Sequence, residues 1–135
     1  MKTEVYVFHA IKEKEILYHK ILWQIRNTSF LSMMAPCDAK VDIQNVTKEE
    51  FESDVKNSFQ EIMDMITRYR EIEEAIHKAN AEIIIETCLG EMTISDAYKL
   101  HNEIGRMSYD EKFRRFKREL YGLIEIAYTT NTIEI

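Results

Sequence analysis

The sequence predicts a mainly α-helical chain with a small β element, built around one long heptad-patterned helix packed with two or three further helices. Three observations carry this expectation. An apolar row recurs in alternating steps of four and three from Phe51 to Ala79. Turn formers are scarce, with three Gly and one Pro in 135 residues, whereas sandwiches and barrels need frequent turn punctuation. Three capping-box pairs, Thr47 with Glu50, Thr93 with Asp96 and Ser108 with Glu111, each stand where a helical pattern begins.

Taken in chain order, a first helix begins after Thr3 and runs to about Arg26, because Phe8, Ile11, Tyr18, Ile21 and Ile25 lie near helical spacing. Residues 27 to 46 break that pattern. Ser29 to Met33 and Val41 to Ile43 alternate as strands do, and Pro36, Asp38 and Asn45 mark turns, so an irregular β hairpin is expected there.

The long helix follows from Thr47. Its row reads Phe51, Val55, Ser58, Ile62, Met65, Tyr69, Ile72, Ile76 and Ala79, apolar at every position but Ser58. That 3.5-residue period keeps one seam on one face and favours a coiled-coil-like partner. At 1.5 Å per residue such a helix is about 48 Å long. Part of it is therefore expected to pair with helix one or with another copy, most simply in a symmetric homodimer.

Residues 82 to 89 are β-branched and stop at Gly90, which reads as a strand. A helix from Thr93 to about Ile104 turns Ala97, Leu100, His101 and Ile104 inward and ends at Gly105. A last helix carries the stripe Phe113, Phe116, Leu120, Leu123 and Ala127, and the Thr- and Ile-rich tail from Thr129 to Ile135 adds a short strand.

Composition bounds the function. Apolar residues at 45% and charged residues at 31% describe a globular chain, expected to form a single domain over residues 1–135. Cys37 and Cys88 are too few for a disulfide framework. The N-terminus lacks the apolar run of a signal peptide, and no apolar stretch is long enough to span a bilayer, so the expected compartment is the cytoplasm, the host's if the chain is phage-encoded. Between residues 41 and 77 ten acids stand against four bases, which accounts for the whole net charge of −6. An acidic protein with one basic segment is a poor ligand for long nucleic acid but can hold a small anion locally.

That basic segment is Arg106 together with Lys112, Arg114, Arg115, Lys117 and Arg118. On a helix Phe113, Phe116 and Leu120 point one way while Arg114, Arg118 and Tyr121 share the opposite face. Two guanidinium groups one turn apart can grip a diphosphate bidentately, and they stay charged at every accessible pH. Arg106 or Arg115 can assist, and Tyr121 or Trp23 can stack on a base. The competing reading of the segment is a solvated basic face that pairs with the acidic long helix. Trp23 reads equally as a core or interface anchor. Asn80 and Thr87 are expected to cap the long helix and satisfy backbone.

Catalytic signatures are lacking: there is no Gly-rich phosphate loop, no Ser-nucleophile elbow, and no paired cysteine spacing. Of His9, His19, His77 and His101, only His77, with Glu73 and Glu74, makes half of a metal site; no second copy of a Glu-x-x-His pattern exists, and no metal or other cofactor is expected.

The stretch Asn80 to Ala97 resembles a signature of small helical bacterial and phage proteins labelled septicolysin-like. There a long helix ends in Asn, an extended segment with a Thr follows, then Gly, then a Thr-Leu-Thr-Glu-Ala type helix start. The matching residues are Asn80, Thr87, Gly90 and Thr93-Ile94-Ser95-Asp96-Ala97, with Asn131 and Thr132 at the end of the last helix. Ile83 stands where that family carries a second Asn, and the Trp after the terminal Asn is missing. This resemblance implies a fold and no activity. A second resemblance, to phage Thoeris anti-defence proteins that act as nucleotide sponges, rests on size, the lone Trp23 and the late pair Arg114 and Arg118. It implies a non-enzymatic homodimer that sequesters a small anionic nucleotide signal, such as a cyclic ADP-ribose isomer or a cyclic oligonucleotide. The alternative expectation is a protein–protein interaction module whose working surface is the long acidic helix.

Overall fold

A computed structural model describes residues 2–28, 47–107 and 111–135. The class is the expected one: the described residues form four helices with two small antiparallel sheets of two strands each. In chain order these are β1 (Glu4–Tyr6), α1 (Val7–Asn27), α2 (Lys48–Glu82), β2 (Ile84–Thr87), β3 (Gly90–Thr93), α3 (Ile94–Met107), α4 (Glu111–Thr130) and β4 (Thr132–Glu134). The hairpin expected within residues 27 to 46, Cys37, and the Ser108 end of the third capping box lie outside the described residues. The chain groups into two compact units, Met1–Lys14 with Glu71–Ile135, and Glu15–Arg70.

The first unit holds a core of Val7, Ala79, Ile85, Ile94, Ala97, Leu120, Ile124, Ala127 and Tyr128. Here α4 buries Leu120, Ile124, Ala127 and Tyr128, a stripe at the four- and three-residue spacing of one helix face. Phe113, expected in that stripe, is exposed, while Phe116 and Leu123 are half-buried at its edge. In the part of α2 within this unit, Ile72, Ile76 and Ala79 of the heptad row are buried. The Tyr128 hydroxyl donates to Asn80 Oδ1 at 2.8 Å, and the Tyr98 hydroxyl lies 3.3 Å from the Tyr128 hydroxyl, so one polar cluster ties α2, α3 and α4.

The chain ends close this unit. β1 pairs with β4, Val5 opposite Ile133, and reciprocal backbone bonds join Thr3 to Ile135. The first helix therefore starts at Val7, later than its apolar pattern implies, because residues 4–6 are claimed by a partner strand from the far end of the chain. Its buried residues in this unit are the small Val7 and Ala10, while Phe8 is exposed. At the opposite end of the sequence Asn131 finishes α4: its side-chain Nδ2 donates to Ala127 O at 2.9 Å and its carbonyl accepts from the Val7 N–H.

The β-branched run beyond α2 forms β2, and residues after Gly90 return as β3 with Ile85 opposite Met92. Gly90 sits at φ +111°, a conformation open to glycine, at the turn. Thr87 ties that turn, its hydroxyl donating to Gly90 O and accepting from the Leu89 N–H. Thr93 Oγ1 then accepts from the Asp96 N–H at 3.2 Å and opens α3. That helix continues through Gly105 to Met107 instead of ending at the glycine.

The second unit contains the remainder of α1 and the first part of α2. Both halves of the Thr47–Glu50 capping box form, with the Glu50 N–H on Thr47 Oγ1 at 3.1 Å and the Thr47 N–H on Glu50 Oε2 at 3.3 Å. Gln24 Nε2 donates to Glu61 Oε2 at 3.1 Å and joins the two helices. The heptad positions Phe51, Val55, Ser58, Met65 and Tyr69 are half-buried here and Ile62 is buried.

Burial, with Tyr98 beside it, pushes the Tyr128 phenol far above its ordinary value near 10. The folded state thus favours the neutral phenol. This stabilisation is complete below pH 10 and is lost as pH rises beyond the unfolded value towards the folded one. Tyr128→Phe is expected to lower stability by about 1–2 kcal/mol at neutral pH, through the unmade bond to Asn80. It should also flatten the alkaline fall in stability, which urea denaturation at pH 8 and above pH 10 would reveal.

Candidate functional site

Because α4 commits one face to the core, its remaining positions are presented outward in a fixed register. Arg114, Lys117, Arg118 and Tyr121 are spaced by three and four residues and line one open groove of about 650 Å³, together with Glu111 and, from α3, His101. Among the described lining residues two arginines and a lysine thus face one carboxylate. The Tyr121 side chain is about half exposed, and its ring stands 6.3 Å from the His101 ring at a 42° tilt.

Glu111 partly neutralises the groove, with Oε1 3.7 Å from Arg118 Nη2. Both side chains are more than two-thirds exposed, at 71% and 72%. Such a pair is screened by water and contributes little to stability. Lys117 lies across Gly105: a Cβ built there would come 3.0 Å from Lys117 Nζ. The glycine within α3 is thereby explained as room for a cation rather than as a helix stop.

Of the residues singled out from sequence, Arg114, Arg118 and Tyr121 come together. Arg115 and Arg106 are exposed and do not line this groove. Trp23 belongs to the second unit, where it is 63% exposed and lines a separate groove of about 480 Å³ with Lys20, Gln24, Glu61, Asp64 and Met65. Lys117 stands in the basic segment singled out from sequence but outside the expected clamp, and His101 and Glu111 are not among the expected site residues. Lys117 is three residues after Arg114 and four before Tyr121, so helical spacing alone contained the signal. His101 is half-buried and turned to the groove, although its spacing from Ala97 and Ile104 places it near the apolar face.

The half metal site is engaged otherwise. Glu73 Oε2 lies 3.6 Å from Lys14 Nζ and Oε1 lies 4.0 Å from His77 Nε2. Among the described residues no group of three or more His, Cys, Asp or Glu side chains is placed to hold a metal ion, and no helix is long and apolar enough to cross a membrane. Comparison with protein-family models, with curated protein sequences and with solved structures finds no match to this chain.

Gly105→Ala separates helix propensity from site geometry. The methyl meets only the flexible end of Lys117, while Gly inside a helix is worse than Ala by about 0.5–1 kcal/mol. A thermal melt should show a more stable protein, with the Lys117 ammonium displaced from the groove. A less stable variant would mean that the α3–α4 approach depends on the bare backbone itself.

Proposed function

We propose that this protein binds a small anionic nucleotide in the α3–α4 groove and sequesters it without turning it over. The observation that carries this reading is the convergence of Arg114, Lys117, Arg118 and Tyr121 on one open surface. Arg114 and Arg118 clamp phosphate oxygens in a forked, charge-assisted manner. Lys117 adds a point charge, and Tyr121 stacks on the base with His101 behind it. Sequestration asks for affinity alone, so the groove needs no general acid, base or metal. The resemblance to Thoeris anti-defence sponges supports the same class of guest, a cyclic ADP-ribose isomer or a cyclic oligonucleotide, met in the cytoplasm of a host cell.

Calorimetry against cyclic dinucleotides, cyclic trinucleotides and cyclic ADP-ribose isomers tests the proposal. At least one is expected to bind, returned unchanged after incubation. Arg114→Ala and Arg118→Ala should each weaken it by roughly tenfold or more, in line with about 1.5–3 kcal/mol for a hydrogen bond to a charged group. Affinity should also fall with added salt, since the groove is open to water. Absence of heat with the whole panel would end the nucleotide reading.

An interaction module is the second reading, favoured by Phe59 and Met63, which α2 exposes among its acidic residues. A stoichiometric protein partner retained by the wild type and lost on Phe59→Asp, with silent ligand assays, would support it.

A further inference from the structure

We propose that the second unit is completed by a second copy of this chain, which docks on the Trp23 face of α1 and α2. This inference stands on different residues from the nucleotide groove and does not rest on it.

Among the described residues of Glu15–Arg70 only Ile62 is buried. The same unit leaves large apolar side chains in water: Ile16 at 54%, Trp23 at 63% and Phe59 at 56% exposure, with Tyr18, Ile25 and Met63 also exposed. Ile16 and Trp23 are seven residues apart and so share a face of α1. Among the described residues, these helices therefore leave more large apolar surface in water than they enclose, and covering such surface is favourable. Trp is moreover enriched, with Tyr and Arg, among the side chains that dominate interface binding energy.

The chemistry of the Trp23 groove identifies the occupant. Its α1 wall carries Lys20 and Trp23, and its α2 wall carries Glu61, Asp64 and Met65. A cation and an aromatic ring on one wall face two carboxylates and a thioether on the other. Rotation about a two-fold axis exchanges the walls, placing Lys20 and Trp23 of each copy on Glu61, Asp64 and Met65 of the other. This is the self-complementarity that an isologous interface requires. The exposed Phe59 and Met63 of α2 lie off its heptad row, whose positions are already half-buried or buried within the chain, and so add apolar surface for a second copy to cover. The result is a four-helix arrangement of two α1–α2 pairs.

The single tryptophan and the charged walls give a direct test with the full-length protein. Sedimentation is expected to show a species of twice the 16.1 kDa chain mass at micromolar concentration. Trp23 emission should shift to the red on dilution as the dimer dissociates. Ile16→Lys should raise the dissociation constant by roughly tenfold or more, while Arg114→Ala leaves it unchanged. Lys20→Asp puts acid on both walls, and Asp64→Lys puts base on both. Each variant alone should associate more weakly than wild type, and an equimolar mixture of the two should recover dimer. Circular dichroism of each variant separates dissociation from unfolding. A wild-type monomer at 100 μM, or a dimer indifferent to Ile16→Lys and to both charge variants, would overturn the proposal.

Discussion

Burial of the α4 stripe, Leu120, Ile124, Ala127 and Tyr128, is the constraint on which the first unit depends. A helix with one face held in a core has no rotational freedom left for the other faces. The same turn that puts Leu120 inside therefore puts Lys117, Arg118 and Tyr121 along the α3 side. The polar cluster of Tyr128, Asn80 and Tyr98 adds direction to this burial, since a hydrogen bond tolerates less sliding than an apolar contact. The paired chain ends then hold the N-terminus of α1 against the C-terminus of α4.

The groove that results is basic, shallow and wet. Its cations stay exposed to water and so avoid the penalty of burial. Glu111 serves as a provisional counter-ion for Arg118. In the nucleotide-binding role we propose, specificity comes from geometry, the fork of a guanidinium against phosphate and the plane of Tyr121 against a ring, more than from exclusion of water. The second unit follows the opposite logic, with aromatic and aliphatic surface exposed and charges of both signs set across one groove. The first pattern suits a small, charged guest; the second suits a large, apolar and self-complementary one.

Features that depend on neighbours in sequence were legible in advance. The Thr47–Glu50 box closes a ring of only a few residues, and the shared face of Arg114, Arg118 and Tyr121 follows from helical spacing alone. Features that depend on distant residues were not. The N-terminal strand is created by Thr132–Glu134, more than 120 positions away, and its own sequence continues the helical apolar pattern of α1. Large apolar residues dominated the expected stripe of α1, yet the structure buries Val7 and Ala10 and exposes Phe8, while Ile11 of that stripe is half-buried against the core. Gly105 illustrates the ambiguity of glycine. It was expected to terminate a helix and instead accommodates Lys117, a distinction set by a residue on another helix. Asn80 is similar: a cap by position, it is a side-chain acceptor for Tyr128 by tertiary placement.

Backbone amide shifts measured by NMR during titration with inorganic pyrophosphate test most directly the claim that the solvent-facing register of α4 creates an anion site. The account predicts saturable changes confined to the neighbourhood of His101, Arg114, Lys117, Arg118 and Tyr121, with the Trp23 indole signal unmoved. Changes centred on the second unit, or none at all up to millimolar pyrophosphate at low salt, would contradict it.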